Sequence, residues 1–219
     1  MPSKNAIKNF EPDTMYHVYN RGVDKRIIFK DEQDYAVFLD FLKYALLTDS
    51  QTDEAFDPSV ISAATRFNFR RLGLSNEVDL VAFCLMPNHF HLLVYQHSID
   101  GITKLMRSIA TGYSMYFNKR YERKGTLFQG RYKASTINSD SYWDHISRYI
   151  HLNPIELGVD WRTYPRSSYR IYAGEAKAEW VKPGLVLDSF DSINNYERFV
   201  SEYVDRHEEL KQLEHDLGV

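Results

Sequence analysis

Two apolar segments separated by three turn-forming residues constrain the fold of this chain more than any other feature. Residues 78–85 and 90–95 have the length and the aliphatic and aromatic composition of buried strands. Met86, Pro87 and Asn88 lie between them. A proline has no N–H group to donate to a sheet and therefore belongs at a strand end or in a turn. The pattern predicts an antiparallel pair of strands.

The segments around this pair predict a two-layer α+β fold. Residues 15–20 form a strand-like segment that ends at a glycine, and apolar residues then repeat with helical spacing after Asp31 or Asp34, either of which can cap a helix. A second amphipathic helix is predicted at about 102–120, and a fourth strand at 132–137. The order strand, helix, strand, strand, helix, strand is that of the ferredoxin-like (split βαβ) arrangement, with an antiparallel sheet and both helices on one face.

The remaining segments are predicted to be additions to this core of four strands and two helices. The polar stretch 48–76 is interpreted as an insertion, and a further helix is expected to begin near Ser139 or Asp140 and to end before Pro154. Residues 156–184 are rich in loop-forming residues, and 196–217 indicate one or two acidic helices. We therefore expect one domain at 1–170 and an acidic, partly helical extension at 171–219.

Composition narrows the class of protein. With 219 residues, 43% of them hydrophobic, the chain can bury a substantial core. No window approaches the roughly 18 consecutive apolar residues of a membrane span, and residues 1–13 lack the apolar centre of a signal peptide. We expect a cytoplasmic protein without a membrane partner. Cys84 is the single cysteine, so a metal would need nitrogen and oxygen ligands.

The net charge of −3 conceals a strong separation of charge along the chain. Residues 101–139 carry a net charge of +7, with aromatic residues between the basic ones, and residues 188–219 carry −6. Cations interleaved with rings suit a surface that neutralises phosphates and stacks unpaired bases, whereas the alternative is a solvated helix face whose rings serve the core. The basic residues are Lys104, Arg107, Lys119, Arg120, Arg123, Lys124, Arg131 and Lys133.

A histidine pair in the second strand of the hairpin is the first candidate site. His89 and His91 are two residues apart, so on a strand both imidazoles project from one face while Phe90 points to the other. Two neutral imidazoles form half of a metal site. A polar strand face without a metal is the alternative reading of this spacing.

The helix before Pro154 supplies further chemistry. His145, Tyr149 and Asn153 are spaced four residues apart and form one stripe of this helix. The amide oxygen of Asn153 can join two imidazoles around Mg²⁺ or Mn²⁺, which would hold a phosphate oxygen as a Lewis acid. Tyr149 is then placed to attack phosphorus and to conserve the bond energy as a covalent phosphotyrosine.

These residues resemble those of the HUH single-tyrosine transposases (IS200-like), and particularly the REP-associated tyrosine transposases. The resemblance extends from about Tyr16 to Ser168. It rests on five motifs in the expected order, namely YHVYNRG (16–22), CLMPNHFHLLV (84–94), YFNKRYERKGTLFQGRYK (116–133), RYIHLNPIELG (148–158) and YPRSS (164–168).

The resemblance implies an HUH endonuclease fold and metal-dependent, site-specific cleavage and rejoining of single-stranded DNA through a 5′-phosphotyrosine. It implies Tyr149 as the nucleophile and His89, His91 and Asn153 as ligands of Mg²⁺ or Mn²⁺. The expected partners are REP-like DNA hairpins in a bacterial nucleoid, bound by a monomer. His17 and His145 are candidates for lining the site or orienting a ligand. The expected DNA-binding residues are Arg21, Lys104, Arg107, Arg120, Arg123, Lys124, Arg131 and Lys133.

Two other classes of function compete with this one. A metal-dependent hydrolase would need further His and Asp ligands at later strand ends, and more residues than this chain has. A nucleic-acid-binding regulatory module, for DNA or RNA, would keep the fold without the chemistry. For the acidic extension, one hypothesis is that it packs near the basic surface and competes with DNA, and the alternative is a solvated helical cap.

Overall fold

The computed structural model describes residues 10–48, 73–137 and 140–204. The insertion expected at 48–76 therefore lies almost entirely outside the described residues, as do Ser139 and the acidic residues from Asp205 onward. None of the helices in the described parts is both long and apolar enough to cross a membrane.

Four antiparallel strands form one sheet, in the order β2-β3-β1-β4. They are β1 (Thr14–Arg21), β2 (Val78–Met86), β3 (His89–Gln96) and β4 (Lys133–Ile137). The hairpin of β2 and β3 turns at Pro87 and Asn88, as the sequence predicts, and β1 lies between β3 and β4. The predicted ferredoxin-like α+β arrangement is confirmed.

Two helices, α1 (Glu32–Leu46) and α2 (Gly101–Arg120), pack together on one face of this sheet. The side chain of Asp31 caps α1 by accepting a hydrogen bond from the Asp34 amide. The two helices approach closely where α2 has Gly112, because a Cβ atom there would come within 2.4 Å of the Phe41 ring on α1. Together they bury an aromatic core against the sheet.

The helix α3 (Asp140–Leu152) covers the opposite face, so helices lie on both faces of the sheet rather than on one. Its apolar stripe, Ile146 and Ile150, is fully buried. Trp143, three residues before Ile146 on the same side of the helix, is only partly buried. A 3-10 turn, Asn153–Leu157, continues α3 beyond its last regular residue because Pro154 cannot donate a helical hydrogen bond.

Residues 164–204 complete this second layer. Backbone hydrogen bonds join Leu85 to Arg166 and Ser168 to Phe83, so this segment covers the outer edge of β2. It then forms α4 (Tyr169–Tyr172), α5 (Gly184–Leu187) and α6 (Ile193–Ser201). The helix α6 packs against α3 and buries Tyr196 and Val200.

Candidate active site

Alternation along two neighbouring strands assembles a polar cluster under α3. In β1, His17, Tyr19 and Arg21 are spaced two apart and share a face. His89 and His91 share the same face of β3, and the strand register places His91 opposite Tyr19 and His89 opposite Arg21. Phe90 points the other way into the core of α1 and α2. The sheet thus brings both expected histidines to the α3 side.

His17 orients the ring of His91. Its Nε2 atom lies 2.8 Å from Nδ1 of His91, and the two rings stack with their centroids 5.0 Å apart. Because this hydrogen bond occupies Nδ1 of His91, the other ring nitrogen, Nε2, faces the site, where it has no hydrogen-bond partner among the described residues. Burial lowers the pKa of His91 well below 6.5 and that of His17 to about 3, so both rings are neutral.

His89 is oriented in the same way by a different residue. Its Nδ1 atom donates to Oδ1 of Asn88 at 2.6 Å, which leaves the lone pair on Nε2 for a ligand. The pKa of His89 is lowered to about 4, mainly by burial and also by the positive charge of Arg21, while a hydrogen bond with the Asn153 side chain acts in the opposite direction. The last effect places the Asn153 amide beside the His89 ring.

Asn153 is held by the helix that precedes it. Its Nδ2 atom donates to the Tyr149 carbonyl at 2.9 Å, which directs Oδ1 away from the helix. That oxygen is buried and lacks a donor with hydrogen-bond geometry among the described residues. A buried acceptor without a partner is costly, so a cation is the kind of group that this position accommodates.

The donor set fits a metal of the magnesium or manganese type. Two imidazoles whose Nδ1 atoms are already hydrogen-bonded, together with an amide oxygen, form a mixed nitrogen and oxygen site with open positions for phosphate. Within the described residues, no group of three or more His, Cys, Asp or Glu side chains is arranged to hold a metal ion. Asn153 is the neutral oxygen-bearing side chain that lies beside the pair.

Tyr149 lies directly above the histidines. Its ring meets His91 edge to face at 5.3 Å between centroids and His17 at 5.8 Å. The side chain is only 3% exposed. The structure therefore brings together Tyr149, His89, His91, Asn153 and His17.

Two of the expected DNA-binding residues are occupied within the protein. Arg120 donates to Asp31 and Asp34, with the shortest contact to each carboxylate at 2.6 Å, and it fastens the end of α2 to the start of α1. Lys104 pairs with Glu77 at 2.6 Å. These two cations serve the packing of helix ends, and we leave them out of the proposed DNA surface.

The other expected DNA-binding residues divide into two groups. Arg21 lies at the histidine pair, with Lys133 nearby on β4 over the Tyr19 ring, 5.5 Å from its centroid. Arg107, Lys124 and Arg131 are exposed. Arg123 is half-buried and donates to Asn118.

His145 is not part of the histidine cluster. Its Nδ1 atom is 2.7 Å from an Arg148 nitrogen, and its ring packs on Phe199 of α6. His145 lies one helical turn before Tyr149 on the same stripe of α3. At that position it contacts Arg148 and Phe199 rather than the histidines of the sheet. His151, on the side of α3 away from Tyr149, is completely buried.

Two residues of the site are missed by the sequence reasoning. Tyr19 stacks on His17 at 5.0 Å, and burial raises its pKa to about 12, with Arg21 opposing that shift. Its position midway between His17 and Arg21 on one strand would have revealed it, since alternate residues share a face. Asn88, read only as a turn residue, orients His89 from the tight turn itself.

Comparisons with known proteins relate the chain to IS200-like transposases. Residues 53–153 match the family model described as "Transposase IS200 like", which confirms the resemblance to that family. The chain is similar to a solved structure of a REP-associated tyrosine transposase bound to a REP hairpin, with 14% identity, a TM-score of 0.49, and coverage of 82% of this chain and 92% of that one. It is also similar to a putative transposase from Deinococcus radiodurans R1, with 16% identity, a TM-score of 0.28, and coverage of 67% and 95%. No curated protein sequence matches the chain.

Proposed function

We propose that this chain, whose residues 53–153 match the IS200-like transposases, is a single-tyrosine transposase that cleaves and rejoins single-stranded DNA at REP-like hairpins. One observation carries the proposal. The Tyr149 ring packs at about a right angle to the His91 ring, 5.3 Å between centroids, and Nε2 of His91 is buried without a hydrogen-bond partner in the described residues. This contact supports a site in which the proposed nucleophile lies beside the proposed metal ligands.

In the proposed reaction, the phenolic oxygen of Tyr149 attacks the scissile phosphorus in line. The new Tyr–O–P bond forms as the bond from phosphorus to the 3′ oxygen breaks, and the phenolic proton ends on the 3′ oxygen, giving a 3′-OH and a 5′-phosphotyrosine. Attack by a 3′-OH on the phosphotyrosine reverses these steps and rejoins a strand. No water is consumed, so the bond energy is conserved between cleavage and joining.

The residues around Tyr149 have separate tasks in this reaction. His89, His91 and Asn153 would hold Mg²⁺ or Mn²⁺, which supplies Lewis-acid polarisation of the phosphate when bound. His17 and Asn88 hold the two imidazoles in the tautomer that presents Nε2. Arg21, opposite His89 in the strand register, adds a positive charge where the phosphate would lie.

The central experiment asks whether Tyr149 forms the covalent bond. Wild type and Tyr149→Phe are incubated with labelled single-stranded hairpins and Mg²⁺ or Mn²⁺, and adducts are resolved on a denaturing gel. We expect an adduct for wild type and none for Tyr149→Phe. Tyr142→Phe is the matched control, since Tyr142 is 40% exposed on the same helix, and it should form the adduct normally. An adduct with Tyr149→Phe would exclude this residue as the nucleophile.

The metal ligands are tested by separating binding from cleavage. His89→Ala should lose the adduct yet retain most of its hairpin affinity, because the affinity resides mainly in phosphate contacts with basic side chains. Mn²⁺ binding, followed by its paramagnetic resonance signal, should weaken in the same variant. A wild-type protein that binds hairpins without forming an adduct under any metal would instead favour a regulatory binding module on this fold.

A further inference from the structure

The side of α3 that faces away from Tyr149 is fastened to the C-terminal part of the chain. At about 100° per residue, Asp144, Ser147 and His151 lie on the opposite side of the helix from Tyr149. Each of them contacts the segment after residue 167. Ser189 donates to the Asp144 carboxylate at 2.9 Å, and Tyr196 of α6 reaches both Ser147 and His151.

These contacts form one continuous buried network. The Tyr196 hydroxyl lies 2.7 Å from Nδ1 of His151 and 3.0 Å from Oγ of Ser147. The other ring nitrogen of His151 lies 2.8 Å from Oγ of Ser168, which in turn accepts a hydrogen bond from the Phe83 amide of β2. The four side chains of this network are Ser147, His151, Ser168 and Tyr196, and each is at most 1% exposed. The network therefore links α6 to α3 and α3 to the sheet.

Each polar side-chain atom in the network has a hydrogen-bond partner. With Ser147 donating to the Asp144 carbonyl at 2.8 Å, Tyr196 donates to Ser147 and Nδ1–H of His151 donates to Tyr196. Nε2 of His151 then accepts from the Ser168 hydroxyl, which also lies 3.2 Å from the Phe83 carbonyl. Burial lowers the pKa of His151 to about 3, so the ring is neutral and one nitrogen accepts while the other donates. Saturated buried networks fix geometry, because any shift of one member leaves a buried polar atom unpaired.

The family match ends at residue 153, whereas Ser168 and Tyr196 lie beyond it. The segment that matches the family therefore does not include the residues that hold the outer side of α3. The described part of the acidic extension packs into the layer that carries Tyr149, with Tyr196 and Val200 buried. Competition of the extension with DNA stays a hypothesis.

We propose that Tyr196 is a positioning residue, which through His151 and Ser147 sets the placement of α3 and so of Tyr149 and Asn153 over the histidine pair. The proposal rests on the proposed function for its catalytic consequence, while its structural part stands on the network alone. Catalysis is sensitive to displacements of about 1 Å, and α3 carries both the nucleophile and a proposed metal ligand, so a small tilt of this helix disturbs both.

The test compares two tyrosine hydroxyls in the same core. Tyr196→Phe removes the hydroxyl that joins α6 to α3. Tyr172→Phe is the matched control, because Tyr172 is equally buried and packs on Tyr196 and His151, but its hydroxyl donates to the Val81 carbonyl of β2 at 3.1 Å instead of α3. Both substitutions keep the ring and remove one buried hydrogen bond, so both should lower Tm by a few degrees.

Two measurements are made on the full-length variants. Amide hydrogen exchange in the peptide covering 145–153 should accelerate in Tyr196→Phe and stay at the wild-type rate in Tyr172→Phe. The rate of adduct formation at saturating hairpin should fall about tenfold in Tyr196→Phe only, with hairpin affinity unchanged in both. Tyr149→Phe is run beside them as the test of the proposed function.

The outcomes separate the two proposals. If wild type forms no adduct, the proposed function fails, and hydrogen exchange alone decides whether Tyr196 positions α3. If Tyr196→Phe and Tyr172→Phe change exchange and adduct rate to the same degree, the effect is one of general stability and the positioning role is overturned. A wild-type exchange rate at 145–153 in Tyr196→Phe also overturns it.

Discussion

On the sheet face under α1 and α2, strand β3 contributes Phe90, Leu92 and Val94, whereas on the α3 face the same strand contributes His89, His91 and Leu93. Both faces are buried, but they differ in how completely their buried polar atoms are hydrogen-bonded. On the first face, the buried carboxylate of Asp34 receives hydrogen bonds from the Lys30 amide and from the side chains of Tyr116, Arg120 and Tyr121. Its charge is completely paired.

On the α3 face, polar atoms are buried without partners. The clearest are Nδ1 of His17, Nε2 of His91 and Oδ1 of Asn153, all close to Tyr149. Unpaired buried atoms cost stability, and they persist where a ligand is to be bound. Asp40 of α1 also has a buried carboxylate oxygen without a partner in the described residues, so the two faces differ in how such atoms are concentrated. On the α3 face they cluster around Tyr149, where the proposed function requires a ligand-binding site.

The largest effects are expected from two adjacent residues of β3, Phe90 and His91, which point to opposite faces of the sheet. Phe90→Ala should destabilise the protein by about 3–5 kcal/mol, because it leaves a cavity in the aromatic core. His91→Ala should slow adduct formation at least about 100-fold, because a Lewis-acid contact with the phosphate is worth several kcal/mol. His91→Ala should leave the protein clearly more stable than Phe90→Ala does. Denaturant unfolding and the adduct gel measure the two effects.

The opposite pattern would contradict the distinction between the face under α1 and α2, which stabilises the fold, and the face under α3, which carries the proposed site. If His91→Ala unfolds the protein as severely as Phe90→Ala, the histidine is a core residue. If Phe90→Ala in its folded fraction loses adduct formation as completely as His91→Ala, the two faces are not separable.

A smaller effect is expected at the exposed basic residues proposed to contact DNA. Arg131 is exposed, so Arg131→Ala should weaken hairpin binding by about 1 kcal/mol and reduce the slope of log affinity against log salt by about 1. Lys104→Ala is the matched control, because Lys104 is already paired with Glu77 and should leave the salt slope unchanged. Fluorescence anisotropy over a salt series measures both. Equal slopes for the two variants would contradict the proposed DNA surface.

The smallest effect concerns the charge at the start of α1. Hydrogen bonds from Arg120 are the main cause that lowers the pKa of Asp31 below its ordinary value of 3.8. Because the folded-state pKa is depressed, the carboxylate stabilises the fold above pH 3.8, and this stabilisation is lost as the pH falls through the folded-state pKa. Asp31→Asn keeps a capping side chain, so it isolates the charge.

We expect Asp31→Asn to be less stable than wild type at pH 7 by under about 1 kcal/mol, since solvent screens an exposed ion pair. The difference should shrink as the pH falls below 3.8. Thermal unfolding at pH 7 and over a series of acidic pH values measures it. A stability difference that grows on acidification would have the wrong sign for a depressed pKa.

Much of the fold is predictable from the sequence because its signals are local. These signals are the apolar segments 78–85 and 90–95, the proline in the turn between them and the helical spacing after Asp31. Each depends only on residues that are close together in the sequence. The side of the sheet that α3 covers is different, since the same helical stripe could pack on either face. Only the burial of Ile146 and Ile150 against the histidine side of the sheet decides it.

The candidate site is likewise predictable from the sequence only in part. The spacing of His89 and His91 and the order of the motifs identify these histidines, with Tyr149, as candidates. The sequence does not reveal that Arg120 is paired with two carboxylates, because Asp31 and Asp34 are more than eighty residues away along the chain. Nor does it separate His17, which contacts His91, from His145, which contacts Arg148.

The antiparallel hairpin and the order of strands and helices follow from the amino-acid sequence, because strand and helix periods are properties of local backbone geometry. The sequence also supplies the residue types able to bind a metal and attack a phosphate. Which of those residues meet is known only from the three-dimensional structure. Strand register placed Arg21 opposite His89, and the network of Tyr196 and His151 fastened α3 over the pair. Contacts between distant segments follow from how buried surfaces and hydrogen bonds are satisfied together, and no local pattern encodes that solution.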